Sequence, residues 1–325
     1  MSDIKRGVSL YSFQEEYFLG KMTLEDCIAK AASFGAKGIE IIGEQMVPGF
    51  PKLTDAFVDQ WFGWMDKYGT TPVCHDMFLD FKKYKGQIMS QQEQLQSIIR
   101  DLKFANKLGC KVMRVIVSTT PELMELAAPY AEEYDVKMGI EIHSPWHINS
   151  AWMTRHLEVM EKTGSKYLGF IPDMGIFTKR LAKVLMDNFI RKGADEKIVQ
   201  FVTDAHEKGV MAEYIIGEVH SMTKDPINIA VAEASRHNIY TNPAQLLPQM
   251  HRCFHIHGKF YDMVDEETEY SIPYDEIIPV LKQAGFKGYI CSEYEGNRHI
   301  QDAFVVDSAE QVRRHQLMLK KIIGE

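Results

Sequence analysis

Lys107-Leu108-Gly109-Cys110-Lys111 runs straight into Val112-Met113-Arg114-Val115-Ile116. A helical pattern stops at a glycine, and an apolar strand begins within three residues. The same punctuation occurs at Ser33-Phe34-Gly35-Ala36-Lys37 before Gly38-Ile39-Glu40-Ile41-Ile42. It returns at Lys162-Thr163-Gly164-Ser165-Lys166 before Tyr167-Leu168-Gly169-Phe170, and at Gln283-Ala284-Gly285-Phe286-Lys287 before Gly288-Tyr289-Ile290-Cys291. Glycine enters the left-handed conformation that closes a helix without steric cost. A helix-to-strand connector used repeatedly implies βα units around a parallel sheet. The helix ahead of Gly35 has Thr23 as its expected N-cap, with Leu24, Ile28 and Ala31 along one face.

Strands are expected at Gly7–Phe13, Gly38–Gly43, Thr71–Phe78, Lys111–Ser118, Lys137–Ser144, Tyr167–Asp173, Arg252–Lys259 and Gly288–Tyr294. Helical patterns such as Ser90–Leu108 and Ala151–Thr163 separate them. Eight βα units favour an α/β protein of the (β/α)8 TIM-barrel type over an open doubly wound sheet. No Gly-x-Gly-x-x-Gly follows any strand, so a dinucleotide fold lacks its usual support. The interval between the sixth and seventh strands, about 80 residues, is long for a barrel of roughly 250. Residues 178–248 are therefore expected to form a helical insertion, a lid or docking element on the catalytic face of one domain spanning 1–325. Asp187–Lys192 and Lys197–Lys208 read as its helices, and Asp225-Pro226 and Asn242-Pro243 as loop.

The 325 residues are 45% hydrophobic and 25% charged, an ordinary soluble balance. A net charge of −8 argues against nucleic acid as a partner. No apolar run approaches a membrane span, and Met1-Ser2-Asp3-Ile4-Lys5-Arg6 lacks a signal-peptide core, so a cytoplasmic protein is expected. Cys27, Cys74, Cys110, Cys253 and Cys291 are scattered, with no Cys-x-x-Cys pair, which fits buried reduced thiols.

In a barrel of this kind, chemistry sits at the C-terminal strand ends. Strand five offers Glu141 and His143, strand six Asp173, strand seven His255, His257 and Lys259, strand eight Glu293 and Glu295. Glu40, Glu44, His75 and Asp76 come from earlier strands. Side chains two apart on a strand point the same way, so Glu141 and His143 face one space. Three converging carboxylates would repel unless one stayed protonated. A divalent metal removes that conflict, and three oxygens with one imidazole suit Mn2+, Mg2+ or a related octahedral ion such as Co2+. Either histidine of the His255/His257 pair could instead be a hydrogen-bonded core residue.

These strand endings resemble the xylose-isomerase-like barrels, a family of sugar isomerases and ketose epimerases. The resemblance implies a metal held by Glu141, Asp173, His257 and Glu293, with His257 chosen over His255 by its place in His257-Gly258-Lys259. Gly7-Val8-Ser9-Leu10-Tyr11-Ser12-Phe13-Gln14, Gly38-Ile39-Glu40-Ile41-Ile42-Gly43-Glu44-Gln45-Met46 and the Glu141-Ile142-His143-Ser144-Pro145 turn are more closely similar to the α subunits of bacterial C-glycoside deglycosidases. That similarity implies a small β-subunit partner and 3-dehydro-C-glucosides of flavonoids as substrates. It departs from the epimerases in placing His143 two residues after Glu141, and in the long insertion.

A carbon–carbon glycosidic bond has no oxygen to protonate, so two-carboxylate hydrolysis fails. A ketone at C3 acidifies the C2 proton, and His143 is the expected base, with holding a metal ligand in orientation as its other reading. His147 and Trp146 are placed to line an aromatic aglycone pocket, with Lys259 and His75 as weaker substrate-side candidates. The rivals are a ketose 3-epimerase or sugar isomerase on the same metal, a non-catalytic sugar-binding barrel, and an endonuclease of this barrel class. The charge argues against the last.

Overall fold

The computed structural model describes residues 3–325, so Met1 and Ser2 of the opening stretch lie outside the described residues. The strands are β1 (Lys5–Ser9), β2 (Gly38–Ile41), β3 (Thr71–Met77), β4 (Val112–Val115), β5 (Lys137–Ile142), β6 (Leu168–Pro172), β7 (Ile256–Phe260) and β8 (Tyr289–Tyr294). They pair in parallel in the order β6-β5-β4-β3-β2-β1-β8-β7. The remaining gap is narrowed by bridges Phe170–Cys253 and Asp173–His257, and Phe254 N–H donates to the Phe170 carbonyl at 3.1 Å. The result is a nearly closed (β/α)8 barrel, as the connectors imply.

All four connector glycines adopt left-handed backbone: Gly35 (φ 85°), Gly109 (77°), Gly164 (62°) and Gly285 (68°). Thr23 forms a reciprocal capping box, its Oγ1 accepting from Asp26 N–H at 3.1 Å while Asp26 Oδ2 accepts from Thr23 N–H at 2.9 Å. Thr23→Ala should cost about 1 kcal/mol, read as a lower unfolding midpoint in urea, and no change would mean the cap is redundant.

Several boundaries differ from the sequence reading: β4 stops at Val115, and β5 at Ile142, which leaves His143 just past the strand. β1 stops at Ser9 because Leu10–Phe13 wind into a 3-10 turn that buries Leu10 and Phe13. β7 starts at Ile256, since Pro243–Arg252 is also 3-10 helix. Asp225-Pro226 and Asn242-Pro243 are not loop. Each opens a helical segment, the Asp or Asn side chain capping a backbone N–H and proline occupying the first helical position.

The insertion folds into helices Lys183–Arg191, Glu196–Glu207, Ala212–Met222 and Pro226–His237. They share a core of their own, including Met186, Val202, Ile215, Val219 and Val231. Among the contacts that tie them to the barrel mouth are two to backbone carbonyls. Ser144 Oγ donates to the His237 carbonyl at 2.6 Å, and Arg191 donates to the His299 carbonyl at 2.6 Å. The insertion thus reaches the loops after both β5 and β8. A small apolar cluster of Val73, Cys74, Val112, Ile171 and Cys291 is separate from the main core around residues such as Ile140, Leu102 and Ile277. All five cysteines are free and buried.

Candidate metal centre

Glu141, Asp173, His257 and Glu293 come from β5, the end of β6, β7 and β8. The parallel register brings these ends to one level, and each residue offers a ligand atom within 4.8 Å of the others. All four are buried. His257 Nδ1 lies 2.9 Å from Glu141 Oε1 and 3.5 Å from Glu293 Oε2. Glu293 Oε2 is buried with no hydrogen-bond partner, and such an atom is costly without one. Three carboxylates, one imidazole and an orphaned oxygen make a donor set that fits a divalent cation. His255 stands elsewhere: its Nε2 meets Glu40 Oε2 at 2.5 Å, beside Cys291.

The electrostatics divide the carboxylates. Burial works against ionisation of Glu141, but Arg114 and the His257 imidazole outweigh it and hold its carboxyl well below the usual range. Burial, reinforced by Asp173 and Glu295, pushes Glu293 well above it despite His257. Without a cation, Glu293 is the carboxyl of the two that burial and its acidic neighbours push toward the protonated form.

Lys259 is 2% exposed and makes three polar contacts at the rim of this cluster. Its Nζ is 3.1 Å from Asp173 Oδ2, 3.1 Å from Glu295 Oε2 and 2.8 Å from His143 Nε2. Burial opposes its charge, yet Asp173 and Glu295 hold its pKa well above the ordinary value. Its path requires Gly175, where a Cβ would lie 2.7 Å from Asp173 Oδ1 and 2.9 Å from Lys259 Cδ. His143 Nδ1 is 2.7 Å from the Ser144 carbonyl. A carbonyl only accepts and an ammonium only donates. His143 therefore carries its hydrogen on Nδ1, and its Nε2 lone pair faces the site, 4.0 Å from Asp173 Oδ2.

Trp146 is 40% exposed on the following loop and stacks on Trp152 with centroids 5.8 Å apart. His147 is partly buried beside it, and its Nδ1 has no hydrogen-bond partner. His75 does not join them. It faces the helix layer, where its Nε2 meets Asp101 Oδ1 at 2.9 Å and its ring packs on Phe104. Strand alternation explains this, because Asp76 takes the inward position. The expectation of His75 on the substrate side is corrected.

Arg114 is the group the strand-end reading passed over. It is buried mid-strand, with Nε 3.2 Å from Asp76 Oδ1 and 3.9 Å from Glu141 Oε2, and Nη1 donating to the Met77 carbonyl at 3.2 Å. A lone charge inside Val112-Met113-Arg114-Val115 was its signal. Arg114→Leu would strand Asp76 without its cation and should cost about 3–5 kcal/mol. Urea unfolding measures this, and a loss below about 1 kcal/mol would show that Asp76 finds another partner.

A fold and cluster of this kind define a class. A profile of the xylose isomerase-like TIM barrel family matches residues 28–322, and the chain belongs to that family. The chain is 29% identical to the C-glycoside deglycosidase alpha subunit of Arthrobacter globiformis, over 100% of this chain and 94% of that one. It is 30% identical to the 3'-dehydrocarminate deglycosidase alpha subunit of a Microbacterium species, over 98% and 95%. Among solved structures it superposes on D-psicose 3-epimerase with a TM-score of 0.60 at 10% identity, covering 99% of this chain and 100% of that one, a likeness of fold alone. Among the described residues, no helix is long and apolar enough to cross a membrane.

Proposed function

We propose that this chain is the catalytic α subunit of a C-glycoside deglycosidase, cleaving 3-dehydro-C-glycosides of flavonoid type together with a small β subunit in the cytoplasm. The observation that carries the reading is His143, a neutral imidazole whose Nε2 lone pair faces the four-residue cluster. The full-length likeness to relatives named as such alpha subunits supports it.

In this reading Glu141, Asp173, Glu293 and His257 Nδ1 hold the cation. When bound, Mn2+, or Mg2+ or Co2+ in its place, supplies Lewis-acid polarisation of the sugar's C3 ketone. His143 Nε2 accepts the C2 proton as Lys259 keeps its other two bonds to Asp173 and Glu295. The C2–H electron pair is held as the enolate, then becomes the C1–C2 double bond as the bond from C1 to the aglycone breaks. The departing aromatic carbon takes up a proton, helped by an ortho phenol whose keto tautomer is the leaving form. Lys259, fixed by two carboxylates, orients His143 and contacts the sugar oxygens. Trp146 and His147 flank the aromatic aglycone. The helical insertion belongs to the single barrel domain and covers the substrate from the β5 to the β8 side.

The test offers a flavonoid 3-dehydro-C-glucoside to the Mn2+-loaded chain with its small partner, in parallel with free ketoses. Released aglycone is the expected product. Epimerised ketose with no aglycone would replace this reading by the epimerase one.

A further inference from the structure

Beneath the cluster, away from the barrel mouth, His257 turns its second nitrogen toward two more carboxylates. Nε2 lies 3.5 Å from Glu40 Oε1 and 3.6 Å from Asp76 Oδ1. Glu40, Asp76 and His257 are each 0% exposed. Three of their polar atoms, His257 Nε2, Glu40 Oε1 and Asp76 Oδ2, are buried without a hydrogen-bond partner. Orphaned polar atoms are rare in protein interiors. Here the orphaned Nε2 and the orphaned Glu40 Oε1 face one another.

We propose that Glu40 and Asp76 are positioning residues, a carboxylate cradle that keeps the hydrogen of His257 on Nε2 and so presents Nδ1 to the metal centre. The inference rests on the metal reading above and adds to it what lies behind the histidine. A neutral imidazole carries one N–H. As it stands, Nδ1 meets Glu141 Oε1 at 2.9 Å and carries a hydrogen of its own; for Nδ1 to offer a cation its lone pair instead, the remaining hydrogen must sit on Nε2. An N–H left unpaired at that depth is destabilising. The acceptors within reach are the two carboxylates, and a slight shift or one bridging water completes the bonds.

The cradle is built to hold negative charge at this depth. Glu40 engages His255 through Oε2, leaving Oε1 for His257. Asp76 engages Arg114 through Oδ1, the same oxygen that lies 3.6 Å from His257 Nε2, while its Oδ2 has no partner. Each carboxylate therefore has a cationic or hydrogen-bonding partner of its own, and Glu40 turns its free oxygen toward the histidine. Packing alone does not ask for this arrangement, since apolar residues of similar volume fill such space at least as well as buried ions. Val73, Val112 and Ile171 do so in the neighbouring cluster. The polar set is spent where a ligating histidine needs its far nitrogen held, the arrangement by which a carboxylate behind a metal-bound imidazole fixes its orientation.

The experiment uses the full chain, stripped of metal and then titrated with MnCl2 in a calorimeter, as wild type, Glu40→Leu, Glu40→Gln and Asp76→Asn. One equivalent of Mn2+ is expected. Glu40→Leu should weaken binding about 10–100-fold, and Asp76→Asn by less. Glu40→Gln, which keeps an amide oxygen for the Nε2 hydrogen, should recover most of the loss. A purely packing role would instead favour Leu. The second readout needs no metal. In 15N-labelled metal-free protein the His257 Nε2 hydrogen should give an exchange-protected downfield resonance, assigned by its loss in His257→Ala and shifted in Glu40→Leu. Unchanged Mn2+ affinity in all three variants, or two equivalents bound at wild type, would overturn the cradle. So would the lack of that resonance. A wild type that binds no Mn2+ yet shows the resonance overturns the metal reading and leaves the cradle standing.

Discussion

His143→Ala is expected to bind Mn2+ as the wild type does and to lose turnover. The imidazole is outside the four-residue cluster, with Nε2 4.0 Å from the nearest Asp173 oxygen, so its removal takes away no ligand. It leaves Lys259 paired with Asp173 and Glu295. What disappears is a neutral nitrogen whose lone pair faces the substrate space. Loss of a positioned general base lowers kcat by about 10^2–10^4. Steady-state release of aglycone measures it, with calorimetric Mn2+ affinity as the control, expected within about threefold of wild type because the donor set is intact. Turnover within a fewfold of wild type would assign the proton transfer to another residue.

Metal removal should have the larger effect. Chelation followed by desalting is expected to abolish turnover, and Mn2+ to restore it. The reason is visible in the charges. Glu141 is held ionised by Arg114 and His257, whereas burial and its acidic neighbours push Glu293 far toward its protonated form. A divalent ion held there would favour the ionised form of Glu293 and, in the proposed reaction, would supply the polarisation of the ketone beside which His143 acts as base. Full activity in protein shown to be metal-free would eliminate the centre as a catalytic one.

Much of the scaffold was legible because its signals are local. Gly35, Gly109, Gly164 and Gly285 end helices through their own backbone freedom, and each takes the positive φ that its place before a strand demands. Asp225-Pro226 carried an equally local signal in the opposite sense. An acceptor side chain ahead of proline starts a helix, and reading it as loop missed that. The truncated β1 shows the limit of strand patterns, since Leu10 and Phe13 are as apolar in a 3-10 turn as in a strand.

At the site, spacing along one strand went far and relations between strands did not. Glu141 and His143 could be placed facing one space from their separation of two, although β5 ends at Ile142 and His143 lies just past it. Nothing in the order of residues revealed that Lys259, from β7, would reach His143, or that Arg114, from β4, would neutralise Asp76 and Glu141. His75 and Asp76 are adjacent in sequence, yet one faces the helices and the other the barrel interior.

By itself, then, the order of residues determined the repeated βα unit, the count of strands and the ligand-type side chains at their ends, all properties of short-range geometry. Only the closed tertiary structure decided that His143 keeps its hydrogen on Nδ1, that Lys259 reaches it, and that Glu40 and Asp76 lie beneath His257, the histidine the family resemblance had picked over His255. Those outcomes depend on depth and facing within the ring. Depth is set when the strands curl and their register brings residues more than a hundred positions apart to one level.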